Sequence, residues 1–418
     1  MQAIDTTTTT TQPACRLCGR GLRRTFVDLG MSPLCESFLA AEELNRMEPF
    51  YPLHVRICED CLLVQLETYV PAEEIFGGDY AYFSAYSDSW VEHARVYADR
   101  MIGRLGLSGD SLVVELASND GYLLQHFVRR GIPALGIDPA RNVAEAARER
   151  GVETLVDFFG VELAERLVAE RGPADLVVAN NVVAHVPDVN DFVEGMRILL
   201  ASEGVATIEV PHLVRLMEQN QFDTIYHEHY SYFSFHVLVR LFAEHGLQVF
   251  DVEELPSHGG SLRVFVRRPD GDAAESVDSL LEREREGGYD TLEGYEGFGE
   301  RVAETKRRLL ELLIGLRREG KQVVGYGAPG KGNTLLNYCG IRTDFLDYTV
   351  DRNPGKHGKF LPGTHIPIHP PERIAETRPD YVLILPWNLK REIAAQLEYV
   401  REWGARLVVP IPEPEVLP

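Results

Sequence analysis

The stretch Val113–Leu124, VVELASNDGYLL, decides the fold. It reads as an apolar strand, a turn of small and polar residues from Ala117 to Gly121, and the opening of a helix. Outward from it the same alternation recurs. SLVVELA (Ser111–Ala117), ALGID (Ala134–Asp138), ADLVVAN (Ala174–Asn180) and GVATIEVP (Gly204–Pro211) are strand patterns, separated by helical ones such as RNVAEAARER (Arg141–Arg150). Such alternation predicts a parallel sheet wrapped by helices. Upstream, SDSWVEHARVYADRMIGRL predicts an amphipathic helix over Ser87–Leu105.

A second series follows a charged helical stretch, Glu282–Gly320. KQVVGYGAPGKGNT is strand, turn and helix start; FLDYTVD (Phe345–Asp351), YVLILP (Tyr381–Pro386) and ARLVVP (Ala405–Pro410) are further strands. Ahead of both series, residues from about 13 to 78 hold five of the six cysteines. At 418 residues the chain is too long for one core. The expectation is therefore α/β throughout: a small zinc-binding N-terminal domain (1–78), a central Rossmann-like methyltransferase domain (79–268) and a C-terminal Rossmann-like α/β domain (269–418). The six threonines Thr6–Thr11 have nothing to bury and are expected to be disordered.

Composition excludes several classes. Apolar residues are 44% and charged residues 25%, with no apolar run near the ~20 residues of a membrane span and no signal-peptide pattern. A cytoplasmic protein is expected, with no membrane partner. The net charge of −22 repels phosphate backbones, so no nucleic-acid partner is expected. An anionic small substrate would need a local basic pocket near a glycine-rich turn.

Cys15-x2-Cys18 and Cys58-x2-Cys61 supply four thiolates in the pairing of closed zinc sites. Four cysteines leave no open coordination position, so the metal should be structural. Cys35 and Cys339 are spare and read as buried small apolar residues.

The turn after Val113–Leu116 suits S-adenosylmethionine (SAM). Rossmann-like methyltransferases carry an acid at this strand's end and small residues in the turn; here Glu115 is the acid, and Ala117, Ser118, Asn119 and Gly121 form the turn. Asp138, 23 residues after Glu115, ends the next strand where a carboxylate accepts from ribose hydroxyls. Asp157 and Phe158 stand where an acid and an aromatic flank adenine, and Asn180 lies at the pocket floor.

The run QFDTIYHEHYSYFSF (Gln221–Phe235) has no amphipathic period. Its imidazoles, carboxylate and phenols are proton-transfer groups, and a histidine with a carboxylate neighbour can be held in one tautomer. HEH lacks the H-E-x-x-H spacing of zinc proteases. His185 and Tyr80 should lie near the same pocket.

The second turn carries Gly325-x-Gly327-x-x-Gly330, then Lys331 and Asn333, with Asp351 at a later strand end and Lys356 beyond it. This is a dinucleotide fingerprint, and equally a cradle for a nucleotide diphosphate. An NAD-dependent nucleotide-sugar oxidoreductase is the alternative it leaves open.

Together CRLCG, CEDCLLVQL, ELASNDGYLL, GIDP, YHEHYSYFS, SHGGSLRVF and GYGAPGKGNT resemble the zinc-containing, SAM-dependent C-methyltransferases of deoxysugar biosynthesis, across nearly the whole chain. The resemblance is greatest to the members that methylate C-3 in the tetronitrose pathway. It implies a monomer acting on a thymidine-diphosphate-linked (dTDP) 4-keto-6-deoxysugar, often with a 3-amino group. It further implies that His229 is the base, with Glu228, Tyr226, Tyr80 and His185 as companions. Glu228 is expected to orient the His229 ring, and Tyr226 or Tyr80 to donate to the enolate oxygen. Ala117 in place of glycine is a departure.

Overall fold

The computed structural model describes residues 13–76, 80 and 82–417. The threonine run lies outside the described residues. Along the chain the strands are β1 (Arg24–Ser32), β2 (Tyr51–Ile57), β3 (Val64–Leu66), β4 (Val113–Leu116), β5 (Ala134–Ile137), β6 (Glu153–Leu155), β7 (Ala174–Asn180), β8 (Leu200–Pro211), β9 (Ser231–Tyr232), β10 (Gln248–Leu255) and β11 (Ser261–Arg267). The last six are β12 (Val323–Tyr326), β13 (Thr349–Val350), β14 (Ile368–His369), β15 (Tyr381–Ile384), β16 (Arg406–Val409) and β17 (Glu415–Leu417).

They form three sheets. The central one has the order β10-β11-β8-β7-β4-β5-β6, parallel from β6 to β8, with β11 antiparallel to both neighbours. Every residue of β4 is buried, as a strand covered on both faces requires. The C-terminal sheet, β14-β13-β12-β15-β16-β17, is parallel except at β17. The first sheet, β1-β2-β3-β9, takes its fourth strand from far along the chain: Val64 pairs with Tyr232 and Gln65 with Ser231. One continuous apolar core joins all three sheets, and a second lies on the other face of the central sheet.

The expected helix runs over Asp88–Leu105, with Ser87 accepting from the Trp90 amide at its start and Gly106 left-handed (φ +65°) at its end. One expectation needs correction. Phe345–Asp351 yields only the two residues of β13, because Phe345 and Leu346 turn back onto Arg342. The charged stretch Glu282–Gly320 is helical in two pieces. The segments Glu275–Glu286 and Phe298–Arg318 are separated by a 3-10 turn at Leu292–Tyr295, with Gly288 and Gly297 at positive φ.

Glu284 fastens the first of these helices to the central unit. Its 2%-exposed carboxylate accepts from His212 Nε2 (2.7 Å), the Phe235 amide (2.7 Å), the His236 amide (2.9 Å) and His236 Nδ1 (3.1 Å). Against the cost of burial, these donors hold its pKa at about 2. A depressed carboxylate stabilises the fold above its unfolded pKa and loses that contribution as pH falls. The loss should therefore spread from about pH 4.5 towards 2, worth on the order of 3 kcal/mol. Glu284→Gln should abolish that acid step in a urea-unfolding series and lower stability at neutral pH by roughly 2–4 kcal/mol.

Candidate active site

The four paired cysteines meet. Their sulfurs lie within 4.8 Å of one another, with Cys15 Sγ 3.5 Å from Cys61 Sγ and Cys18 Sγ 3.5 Å from Cys58 Sγ. Thiolates on one tetrahedral zinc stand about 3.8 Å apart, so the set fits the ion. Gln65 supports it, donating Nε2 to Cys15 Sγ (3.1 Å) and accepting the Arg16 amide (2.9 Å). Arg16 then reaches out of the cysteine unit to the carbonyls of Leu66 and Pro187, and lies over the Tyr230 ring. The metal loop is thus tied to the histidine run.

At the first turn, the residues expected to hold SAM come together. Ala117 (φ +54°) and Asn119 (φ +48°) are both left-handed, a conformation that glycine adopts without steric cost. Gly136 on β5 is required by close approach, since a Cβ there would sit 2.3 Å from Ser118 Oγ. Asp138 spans the turn, accepting the Asn119 amide on Oδ2 and the Ala140 amide on Oδ1, each at 2.9 Å; burial raises its pKa to about 6. Glu115 Oε2, Ser118 Oγ and Asn180 Oδ1 are buried without hydrogen-bond partners. Buried polar atoms are rarely left so, and a ligand carrying amino, hydroxyl and amide-like groups fits them. Asp157 is turned to Arg166 (2.7 Å), while Phe158 stands 40% exposed beside it.

A strap crosses this turn. The Ser84 amide donates to Asn119 Oδ1, Asn119 Nδ2 donates to the Tyr82 carbonyl, and Tyr80 exchanges two backbone bonds with the Asn142 side chain. Asn142 gave no signal in sequence, because its role is set by contact with a loop 62 residues away.

The histidine run sits where β9 enters the cysteine unit's sheet. His229 lies 4.0 Å from the Tyr226 ring and 4.6 Å from the His185 ring, centroid to centroid. His229 Nδ1 is 2.7 Å from the Thr224 carbonyl oxygen. A carbonyl only accepts, so Nδ1 carries the proton and Nε2 keeps its lone pair. Burial, reinforced by neighbouring His185, holds the imidazole well below its ordinary pKa, so it is neutral at pH 7. Burial alone brings His185 to about 4.

Glu228 corrects the sequence expectation. Its hydrogen bonds go to Cys35 Sγ (3.5 Å) and Tyr80 Oη (3.3 Å); the Thr224 carbonyl, a backbone atom with no residue signature, orients His229 instead. Burial and nearby Glu36 push Glu228 up to about 7. Tyr80 is thereby committed as a donor, whereas the Tyr226 hydroxyl has no hydrogen bond among the described residues. Cys35 is buried as expected but is polar in use.

The second glycine turn is filled from within. Asp351 accepts the Ala328 amide (2.7 Å) and the Asn353 amide (2.8 Å), and Lys356 donates to the Ala328 carbonyl (2.8 Å). Gly327 (φ +90°) is pressed against Pro386. Asn333 is 1% exposed with both side-chain atoms unpartnered, and Lys331 donates to Asn388 Oδ1 (3.1 Å). Thr334 on the same helix bonds the Ile225 carbonyl, bringing this turn up to the histidine run.

Family comparisons cover the chain in three parts: a zinc binding domain over 15–76, a methyltransferase domain over 90–252 and a C-methyltransferase C-terminal domain over 256–412. C-methyltransferase NovU of Streptomyces niveus is 40% identical over 405 residues, 96% of either chain. Among solved structures, magnesium protoporphyrin IX methyltransferase (ChlM) from Synechocystis PCC 6803 with bound SAH is 12% identical, over 43% of this chain and 83% of its own, with a TM-score of 0.35. A SAM-dependent methyltransferase from Anabaena variabilis is 14% identical, over 42% and 85%, also at 0.35.

The sheet, the cysteine cluster, the family matches and the NovU relative define a methyltransferase that uses SAM and holds zinc. The chain belongs to the zinc-containing, SAM-dependent C-methyltransferase family. Among the described residues, no helix is long and apolar enough to cross a membrane.

Proposed function

We propose that the chain methylates C-3 of a dTDP-linked 4-keto-6-deoxysugar, often 3-amino-substituted, as a monomer. The observation that carries this reading is His229, fixed by the Thr224 carbonyl in its neutral, Nε2-basic form between the Tyr226 and His185 rings. Bound on Glu115, Asp138 and the Ala117–Gly121 turn, SAM supplies an electrophilic methyl group. A sugar carbon is not nucleophilic until it loses a proton, and the 4-keto group acidifies the C-3 hydrogen. His229 Nε2 takes that proton, and the electron pair moves onto the ketone oxygen. Tyr226 donates to that oxygen as charge develops, since burial keeps its phenol protonated. Tyr80 donates to Glu228, and His185 packs on the base.

Incubation with labelled SAM and a panel of dTDP keto-sugars, followed by mass spectrometry, tests the reading. Label on C-3 is expected; label on oxygen or nitrogen would sink it. At the cofactor turn, Asp138→Ala should weaken S-adenosylhomocysteine by roughly ten- to a hundredfold in calorimetry.

A further inference from the structure

We infer that Trp387, in the C-terminal unit, is a positioning residue for the base: through Asp223 it fixes the turn whose Thr224 carbonyl selects the reactive tautomer of His229. The inference rests on the base role proposed above.

The Thr224 carbonyl selects a tautomer only while it stays aimed at His229 Nδ1, 2.7 Å away. It ends a three-residue 3-10 turn, Phe222–Thr224. The turn's own bonds are few: the Ile225 amide donates to the Phe222 carbonyl (3.0 Å), and the Thr224 hydroxyl to the Gln221 carbonyl (2.7 Å). So short a turn has poor hydrogen-bond geometry and takes its place from what it packs against.

What it packs against is the C-terminal unit. The Phe222 ring meets Tyr338 edge-on with centroids 5.4 Å apart, the Ile225 carbonyl accepts from Thr334 Oγ1 (3.0 Å), and Asp223 Oδ2 accepts from Trp387 Nε1 (2.7 Å). The last contact carries most. Asp223 is fully buried and its Oδ1 has no partner, so the indole N–H meets a carboxylate that is costly to leave unbonded. Burial raises Asp223 to about 6 against the pull of Lys331, so it is mostly ionised at pH 7 and the bond is charge-assisted.

The indole is itself wedged. A Cβ at Gly259 would stand 2.8 Å from its Cη2, and Lys331 Nζ lies 4.9 Å from its ring centre. Its N–H is thereby kept on Asp223, one residue before the carbonyl that holds the base.

Trp387→Phe keeps an aromatic ring and removes the N–H. In the full-length zinc-loaded protein, with labelled SAM and a dTDP-linked 4-keto-6-deoxysugar, it should lower kcat by about tenfold. The sugar's KM and the S-adenosylhomocysteine affinity should stay within about twofold. On a His229→Asn background the same change should cost less than about twofold, because it acts through that imidazole. A loss confined to KM would make Trp387 a substrate contact, and an equal loss on both backgrounds would show that it acts elsewhere; either overturns the inference. Nitrogen-15 NMR of the histidine rings, with His229 assigned by its loss in His229→Asn, reads the tautomer without any substrate. The Nδ1–H form is expected in the unaltered protein and a mixture of forms in Trp387→Phe; an unchanged ring there overturns the inference. Should Trp387→Phe not fold, Asp223→Leu breaks the same bond from the other side, and an unchanged Nδ1–H form in it overturns the inference equally. No methyl transfer by the unaltered protein, with the tautomer shift intact, would remove the base reading and not the hold of Trp387 on His229.

Discussion

His229→Asn should lose roughly a hundred- to ten-thousandfold in turnover while binding S-adenosylhomocysteine normally. Asparagine can keep a donor near the Thr224 carbonyl but has no basic nitrogen to accept the C-3 proton. The split matters: a merely structural histidine, packed between Tyr226 and His185, would lower stability and cofactor affinity together. Single-turnover kinetics beside calorimetry separates the cases, and turnover within a few-fold of the unaltered protein removes His229 from the role. Glu228→Gln should be milder, since Glu228 is bonded to Tyr80 and Cys35 and not to the base.

Removing the metal should also lower turnover, by another route. Structural zinc in small four-ligand sites contributes on the order of 10–16 kcal/mol of apparent folding free energy. Cys58→Ser, or exhaustive chelation, should therefore unfold the β1–β3 unit. Because Arg16 and β3 hold Tyr230 and β9, the disorder should spread into the histidine run, and turnover should fall by at least about tenfold with SAM affinity largely kept. Metal content by atomic emission, circular dichroism and rate measured on one sample check this. A zinc-free protein of unaltered rate would show that the cysteine unit does not position the base.

Parts of this molecule were plain in its sequence because they are local. The helix over Asp88–Leu105 announces itself with a serine cap and a following glycine, and β7 has the bounds that ADLVVAN suggests. The four-cysteine cluster needed only spacing. What sequence could not carry are contacts between distant segments and roles taken by backbone atoms. Thr224 acts through its carbonyl, a group every residue has. Glu36 lies against Gly330 although they stand nearly three hundred positions apart, so a carboxylate that no motif includes meets the start of the fingerprint's helix. β9, at two residues, is too short for any periodicity, yet it sets where the histidine run lies.

That short strand also bears on how such proteins diversify. Since Ser231 and Tyr232 pair with a strand some 170 positions earlier, the metal-bearing piece and the reacting piece cannot be exchanged between relatives as separate cassettes. A chimera cut between them would inherit an edge strand shaped for another partner, and its imidazole would arrive displaced even if both halves folded.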